Sequence, residues 1–152
     1  MKARNLYVVM AREVSTDATD SMVTITKIIE KFNVGISALD FKKLDEVSQP
    51  IVLPISYSIA TSWLFDEKLK KETFFNFKIT IFDPYEKNLG GPEQENLLPA
   101  GIDKANMNFN NQGLPLTKAG KYKVVAELSS KSGNLISTAE YPFEIDIDST
   151  QK

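Results

Sequence analysis

The 152-residue sequence contains no cysteine and no histidine. Without cysteine, the chain has no disulfide framework, no thiolate nucleophile and no zinc–thiolate site. Without histidine, it lacks the imidazole base that activates the nucleophile of serine and cysteine hydrolases at neutral pH. Any bound metal would have to be a hard cation held by oxygen ligands, such as calcium or magnesium, and no cofactor is expected.

The sequence also lacks an excess of charge and a long apolar run. It has 18 basic and 20 acidic side chains, and both halves are close to balanced. No basic region therefore favours binding to nucleic acid or to an anionic membrane. The N-terminal apolar run stops at Arg12, and no stretch has the 18 or more apolar residues of a membrane span. We therefore expect a cytoplasmic protein.

What the sequence does contain is the composition of an ordinary globular protein, with 42% hydrophobic and 25% charged residues. Its length predicts a single domain over residues 1–152. Alternation of apolar and polar residues is the dominant pattern and predicts β-strands. The alternating runs are 51–60, 75–81, 121–128 and 141–148.

Turn residues separate these runs. Ser132-Gly133-Asn134 joins residues 121–130 to 135–147 and predicts a hairpin. Tyr122, just after Gly120, is expected to bond nearby backbone through its hydroxyl, as in a tyrosine corner. With seven to nine strands, the chain is predicted to be all-β, a single sandwich or barrel with at most a short helical turn.

Two segments have mixed patterns. Residues 20–32 combine helical spacing with many β-branched residues, so a strand is favoured over a helix. Residues 84–103 are long for a loop, and the first interpretation is a hidden strand with Asn96 to Leu98 paired at a sheet edge. A partner-binding loop and a loop that covers the sheet are the alternatives. The spacing of Phe41, Leu44 and Val47 suggests the short helical turn.

The order of the motifs over residues 3–148 resembles an uncharacterised family of small bacterial proteins. The resemblance implies an immunoglobulin-like β-sandwich and carries over no functional residues. The motifs that carry it are Leu6-Tyr7-Val8-Val9, Met22-Val23-Thr24-Ile25, Ile81-Phe82-Asp83-Pro84, Leu114-Pro115-Leu116 and Gly120-Lys121-Tyr122.

Three acidic pairs and five aromatic residues are the candidate site residues. The pairs Asp83/Glu86, Glu93/Glu95 and Asp146/Asp148 lie near predicted strand ends, but no calcium-binding loop motif accompanies them, so no metal site is expected. Aromatic side chains at strand ends can stack on a ligand or anchor a partner. These residues are Trp63, Phe65, Phe74, Phe82 and Tyr85.

These observations predict a non-catalytic interaction or assembly module that binds a protein partner or a second copy of itself. An exposed apolar strand surface around Phe74 and Phe82 would favour a homodimer. The alternative is a carbohydrate- or small-ligand-binding domain that uses Trp63 and Tyr85. A hydrolase that uses paired carboxylates is a third and weaker hypothesis.

Overall fold

Eleven β-strands make up the regular structure in the computed structural model, which describes residues 1–17, 22–37, 39, 40, 42, 44 and 50–150. Among these residues, no helix is long and apolar enough to cross a membrane. The strands are β1 (Ala3–Thr16), β2 (Val23–Ile28), β3 (Lys31–Ser37), β4 (Ile51–Leu53), β5 (Tyr57–Phe65), β6 (Thr73–Phe82), β7 (Glu93–Leu98), β8 (Lys104–Asn111), β9 (Leu114–Leu116), β10 (Gly120–Ser130) and β11 (Leu135–Thr150).

The strands form two main sheets and one short pair. The four-stranded sheet has the order β2-β1-β5-β8, and the five-stranded sheet has the order β3-β11-β10-β6-β7. The strands β4 and β9 pair separately. All neighbours are antiparallel except β3 and β11, which run parallel. The chain passes from one main sheet to the other between β2 and β3, between β5 and β6 and between β7 and β8, as in immunoglobulin-like sandwiches.

The two main sheets pack face to face through their apolar sides. The Phe65 ring on β5 lies 5.0 Å from the Phe75 ring on β6. The Phe32 ring on β3 lies 6.2 Å from the Tyr57 ring on β5, in an edge-on arrangement. These contacts join one sheet to the other, and the predicted all-β, immunoglobulin-like sandwich is confirmed.

Tyr122 forms the predicted tyrosine corner at the start of β10. Its side chain is 2% exposed, and its ring stacks on Phe143 with 5.3 Å between centroids. Its hydroxyl donates to Lys118 O at 2.6 Å and accepts from the backbone N–H groups of Thr117 and Lys118. The corner fixes the connection that brings the chain from β9 into the five-stranded sheet.

The alternating run at residues 51–60 is not one strand. It is divided into β4 and β5 at Pro54, which has no N–H to donate to a neighbouring strand. The N–H of Ile55 bonds back to Leu53 O at 2.8 Å, which closes a tight turn. The short strands β4 and β9 therefore bring the total above the seven to nine strands expected.

Each of the two ambiguous segments contains strand where the structure describes it. In residues 20–32, β2 covers Val23–Ile28 and β3 begins at Lys31. In the second, β7 pairs with the edge of β6 and includes Asn96 to Leu98, so the hidden-strand interpretation is confirmed. Leu44 is helical, as are Leu39, Asp40 and Lys42, whereas Phe41 and Val47 lie outside the described residues.

Candidate functional site

Two of the five predicted aromatic residues belong to the core. Trp63 and Phe65 are 1% and 3% exposed. The Trp63 indole N–H lies 3.3 Å from Thr61 Oγ1, which satisfies its hydrogen-bonding group inside the sandwich. Because neither ring reaches the surface, the structure corrects the expectation that they contact a ligand or partner.

Phe82 and Tyr85 lie on the surface but at the far end of β6 from Phe74. The Phe82 side chain is half-buried beside Lys123, whose Nζ is 5.4 Å from the ring centroid. Tyr85 is 70% exposed, and Lys118 Nζ lies 3.6 Å above its ring. Eight residues of extended strand, about 26 Å, separate Phe82 from Phe74, so the predicted aromatic residues do not form one site.

Phe74 is the centre of an apolar area on the outer face of the five-stranded sheet. It is 37% exposed and lies directly opposite Leu97 of β7, which is 46% exposed. Leu135 of β11, at the same end of the sheet and 57% exposed, lies opposite Ser129 of β10. We call Phe74, Leu97 and Leu135 the apolar patch.

The apolar patch adjoins an edge of the sheet. β7 is the last strand in the order of the five-stranded sheet, and four of its six residues are exposed. Lys131 Nζ lies 4.5 Å from the centroid of the Phe74 ring. The patch and the neighbouring edge thus combine aromatic, aliphatic and charged groups on one accessible surface.

The sequence pattern indicates Phe74 as a candidate but not its companions Leu97 and Leu135. The adjacency of Phe74 and Leu97 depends on the register between β6 and β7, which pairs Thr73 with Leu98. A hidden strand in residues 84–103 was foreseen, but its register was not. The position of Leu135 depends on the bulge that shifts β11 against β10 beyond Leu128.

Each of the three acidic pairs has a member that contributes to local structure. Glu93 Oε1 accepts a hydrogen bond from the Asn76 side-chain amide. The Asp83 carboxylate is 4% exposed and accepts hydrogen bonds from the N–H groups of Tyr85 and Lys87 and from the Thr117 hydroxyl, each at 2.8 Å. Asp146 pairs with Lys31 at 2.7 Å. The part of the chain that the structure describes holds no group of three or more acidic residues that could bind a metal.

The clearest pKa shifts belong to structural residues outside the apolar patch. Burial raises the pKa of Tyr57 to about 12, and burial also raises the pKa values of Tyr7 and Tyr141. The pKa of Lys31 is raised by its hydrogen bond to Asp146 and by the negative charge of that residue. Packing and ion pairing explain the pKa shifts of these four residues.

No family model and no curated protein sequence matches the chain. Among solved structures, a β-glucuronidase from glycoside hydrolase family 2 matches 63% of this chain and 11% of its own, at 18% identity and a TM-score of 0.48. A β-glucosidase from Kluyveromyces marxianus matches 65% of this chain and 15% of its own, at 16% identity and a TM-score of 0.36. The chain thus spans only a small part of either glycosidase.

An immunoglobulin-like protein from Pseudomonas aeruginosa matches 96% of this chain and 98% of its own, at 9% identity and a TM-score of 0.36. The strand orders of the two main sheets, and not this match, make the fold immunoglobulin-like.

Proposed function

We propose that the chain is a non-catalytic protein-interaction module that binds an extended segment of a partner protein along β7. The observation that carries the proposal is the apolar patch beside a sheet edge that no other described strand covers. Exposed apolar side chains on adjacent strands favour association, and an open edge can accept another strand. The proposal includes a cytoplasmic location and membership of the bacterial family that the sequence resembles.

The backbone of β7 has hydrogen-bonding groups available for such a strand. Ile79 donates its N–H to Pro92 O at 2.8 Å, which establishes which residues of β7 form backbone hydrogen bonds with β6. In an antiparallel pair, alternate residues bond to the neighbour and the others direct their N–H and C=O groups away. Residues 93, 95 and 97 therefore direct theirs to the open edge.

The charges on β7 favour a partner strand that differs from β7 itself. Glu93 and Glu95 share the outer face with Leu97, and β7 carries no basic residue. Two copies of β7 paired antiparallel would bring glutamates close together, which is destabilising for like charges. A partner segment with lysine or arginine opposite Glu95 and apolar residues near Leu97 complements this edge.

Binding can be tested with a capped peptide of alternating lysine and valine added to the isotope-labelled protein. We expect amide chemical-shift changes at residues 93, 95 and 97, because the peptide bonds to their backbone groups. The matched peptide of alternating glutamate and valine should cause much smaller changes. The proposal is contradicted if both peptides act alike or if the changes lie away from β7.

A substitution in the apolar patch provides a second test of binding along β7. Leu97→Glu should weaken lysine–valine peptide binding at least tenfold, because it adds a charge where an apolar side chain packs. Val52→Glu is the control, since Val52 is a similarly exposed strand residue, at 67%, on β4. Equal weakening by both variants would show that the apolar patch is not the binding surface.

The mass in solution separates partner binding from self-association. A single chain has a mass of 17.0 kDa, and a homodimer would have twice that. Light scattering that gives one chain at all micromolar concentrations would remove the homodimer expected from the sequence. A dimer that Leu97→Glu dissociates would identify the partner as a second copy, whereas a dimer that this variant leaves intact would assemble elsewhere.

A further inference from the structure

A polar cleft lies on the other sheet, where β1 leaves β5 and continues as a hairpin with β2. β1 pairs with β5 from Ala3 to Ala11 and with β2 from Ala11 to Thr16. The hairpin crosses the outer face of the four-stranded sheet, since Val14 O lies 3.5 Å from the Asn108 side-chain amide. The cleft beside it has a volume of about 330 Å³, at the small end of the range for ligand pockets.

The strand β8, whose Asn110 and Asn111 line the cleft, has an unusual composition together with the residue that follows it. Between positions 106 and 112, five residues carry a side-chain carboxamide: Asn106, Asn108, Asn110, Asn111 and Gln112. Asparagine is depleted in strands because it competes for local backbone hydrogen bonds. Where a sequence departs from the local preference of its element without a gain in packing, a functional role is the expected reason.

Hydrogen bonds hold two of these carboxamides in opposite orientations. Asn110 Oδ1 accepts from the buried Ser58 hydroxyl at 2.6 Å and from Asn108 Nδ2 at 3.3 Å, which leaves the Asn110 NH₂ group as a donor. Asn111 Nδ2 donates to Phe109 O at 3.2 Å, which leaves its Oδ1 as an acceptor. The cleft thus presents a fixed donor next to a fixed acceptor.

The row of carboxamides continues beneath the hairpin. There, Asn108 Oδ1 is buried and has no hydrogen-bond partner among the described residues. It borders a small cavity of about 30 Å³, large enough for one or two water molecules. A buried acceptor without a partner is costly, so this end of the row requires a bound donor.

The charged groups of the cleft cancel each other. Arg12 and Glu13 both line it, and the structure shows no ion pair between either of them and another described residue. A single cation next to an anion does not attract phosphate or carboxylate. Tyr57 also lines the cleft, but it is 3% exposed and its hydroxyl donates to Gly113 O. Among the described residues that line the cleft, none offers an exposed aromatic ring for a nucleobase.

We propose that this cleft binds a neutral polyhydroxylated molecule, such as a monosaccharide, disaccharide or linear polyol. Each hydroxyl of such a ligand is both donor and acceptor, which matches the alternating groups of Asn110 and Asn111. Neighbouring hydroxyls suit the bidentate groups of Arg12, Glu13 and Gln112. The site is independent of the apolar patch, which lies on the opposite sheet.

The test follows the side-chain NH₂ and backbone amide signals of the labelled protein during titration with glucose, galactose, N-acetylglucosamine, cellobiose and sorbitol. We expect at least one of these probes to shift the signals of Asn110, Asn111 and Gln112 saturably. Glucuronate is the charged comparison and should bind at least tenfold more weakly than glucose, because the cleft has no net positive charge to offset the cost of removing water from its carboxylate. If no neutral probe shifts these signals, or if glucuronate binds better, the proposal fails.

Two variants distinguish a site from a solvated strand face. Arg12→Ala combined with Gln112→Ala removes exposed groups of the cleft and should weaken the best probe at least tenfold. Asn33→Ala is the matched control, because Asn33 is an exposed carboxamide on β3 of the other sheet. Equal affinity in the wild type, the double variant and the control would show non-specific contact and overturn the proposal.

Discussion

At the scale of single residues, the hydroxyl of Tyr122 makes more backbone contacts than any other side-chain group described above. It bonds both backbone groups of Lys118 and the N–H of Thr117, whose own hydroxyl donates to Asp83. Thr117 therefore joins two structural features: the tyrosine corner and the turn that begins at Asp83. Loss of the Tyr122 hydroxyl leaves several polar groups without partners, whereas loss of the ring also opens a cavity.

Two substitutions of Tyr122 separate these effects. Tyr122→Phe should lower the free energy of unfolding by about 1–3 kcal/mol, the range for leaving buried polar groups unsatisfied. Tyr122→Ala should lower it by about 3–5 kcal/mol, the range for truncating a buried large aromatic side chain. Chemical denaturation measures both. A loss below about 1 kcal/mol for the alanine variant would contradict the role of the corner.

Tyr57 should make the protein sensitive to alkaline pH. Its pKa is about 12 in the folded chain and near 10 in the unfolded chain, so the folded state retains the proton more strongly. Stability is therefore complete below about pH 10 and falls as the pH rises from 10 to 12. The fall attributable to Tyr57 is about 2–3 kcal/mol, given about 1.4 kcal/mol for each pKa unit.

Denaturation curves at pH 8, 10 and 11 measure this dependence. Tyr57→Phe should remove part of the decrease above pH 10, although it also loses the hydrogen bond to Gly113 O at 3.1 Å. Tyr7 and Tyr141, with pKa values also raised by burial, should account for a further part. An identical pH dependence in the wild type and the Tyr57→Phe variant would contradict the prediction.

At the scale of elements, the pairing of β6 with the segment before β7 depends on Gly91. A Cβ atom at this position would lie 2.1 Å from Ile79 O, a distance that requires the backbone to move. The neighbouring hydrogen bonds, Ile79 N to Pro92 O and Ile81 N to Gly90 O, are 2.8 and 2.9 Å. Any side chain at position 91 must therefore separate the two segments.

Gly91→Ala should destabilise the protein by about 1–3 kcal/mol and accelerate amide hydrogen exchange at Ile79 and along β7. Gly35→Ala is the control, because its Cβ would meet only Asp148 O at 3.9 Å, an ordinary contact. That variant should be neutral or slightly stabilising, as expected for glycine replaced without strain. Similar losses in both variants would contradict the importance of the close approach at Gly91.

The strands with regular alternation were predictable from sequence, and those set by tertiary contacts were not. The hairpin of β10 and β11 follows directly from its alternating residues and the turn at Gly133. The burial of Trp63 could have been predicted as well, because Trp63 lies on the same face of β5 as Tyr57 and Ile59. The partnership of Phe74 with Leu97 needed the register of a strand that lacks alternation.

The polar cleft also could not be predicted from the sequence. The sequence shows the carboxamide residues at positions 106–112. It does not show that the hairpin of β1 and β2 crosses them. Nothing in residues 3–16 indicates where β1 leaves β5. Only the two sets of pairings show that Ala11 is the point of divergence.

At the scale of the whole molecule, the aspartates Asp83 and Asp146 are engaged within the fold. Asp83 accepts three hydrogen bonds, and Asp146 pairs with Lys31. We therefore expect millimolar calcium or magnesium to leave the Tm unchanged, since only a ligand that binds the folded state raises it. A rise of several degrees that a chelator reverses would reveal a cation site and contradict this prediction.

The parallel pairing of β3 with β11 delays the folding of β3 during synthesis, because β11 is made long after β3. Lys31 pairs with Glu144, which comes 113 positions later in the chain (144 − 31). At about 5–20 residues per second, a ribosome needs roughly 5–20 s to make the 107 residues (144 − 37) from the end of β3 to Glu144, the first residue of β11 that pairs with it. During that interval Phe32, Val34 and Ile36, each at most 6% exposed in the finished fold, have no sheet to join. The nascent chain must therefore carry an uncovered apolar strand for seconds, which makes β3 the natural point of contact for a chaperone.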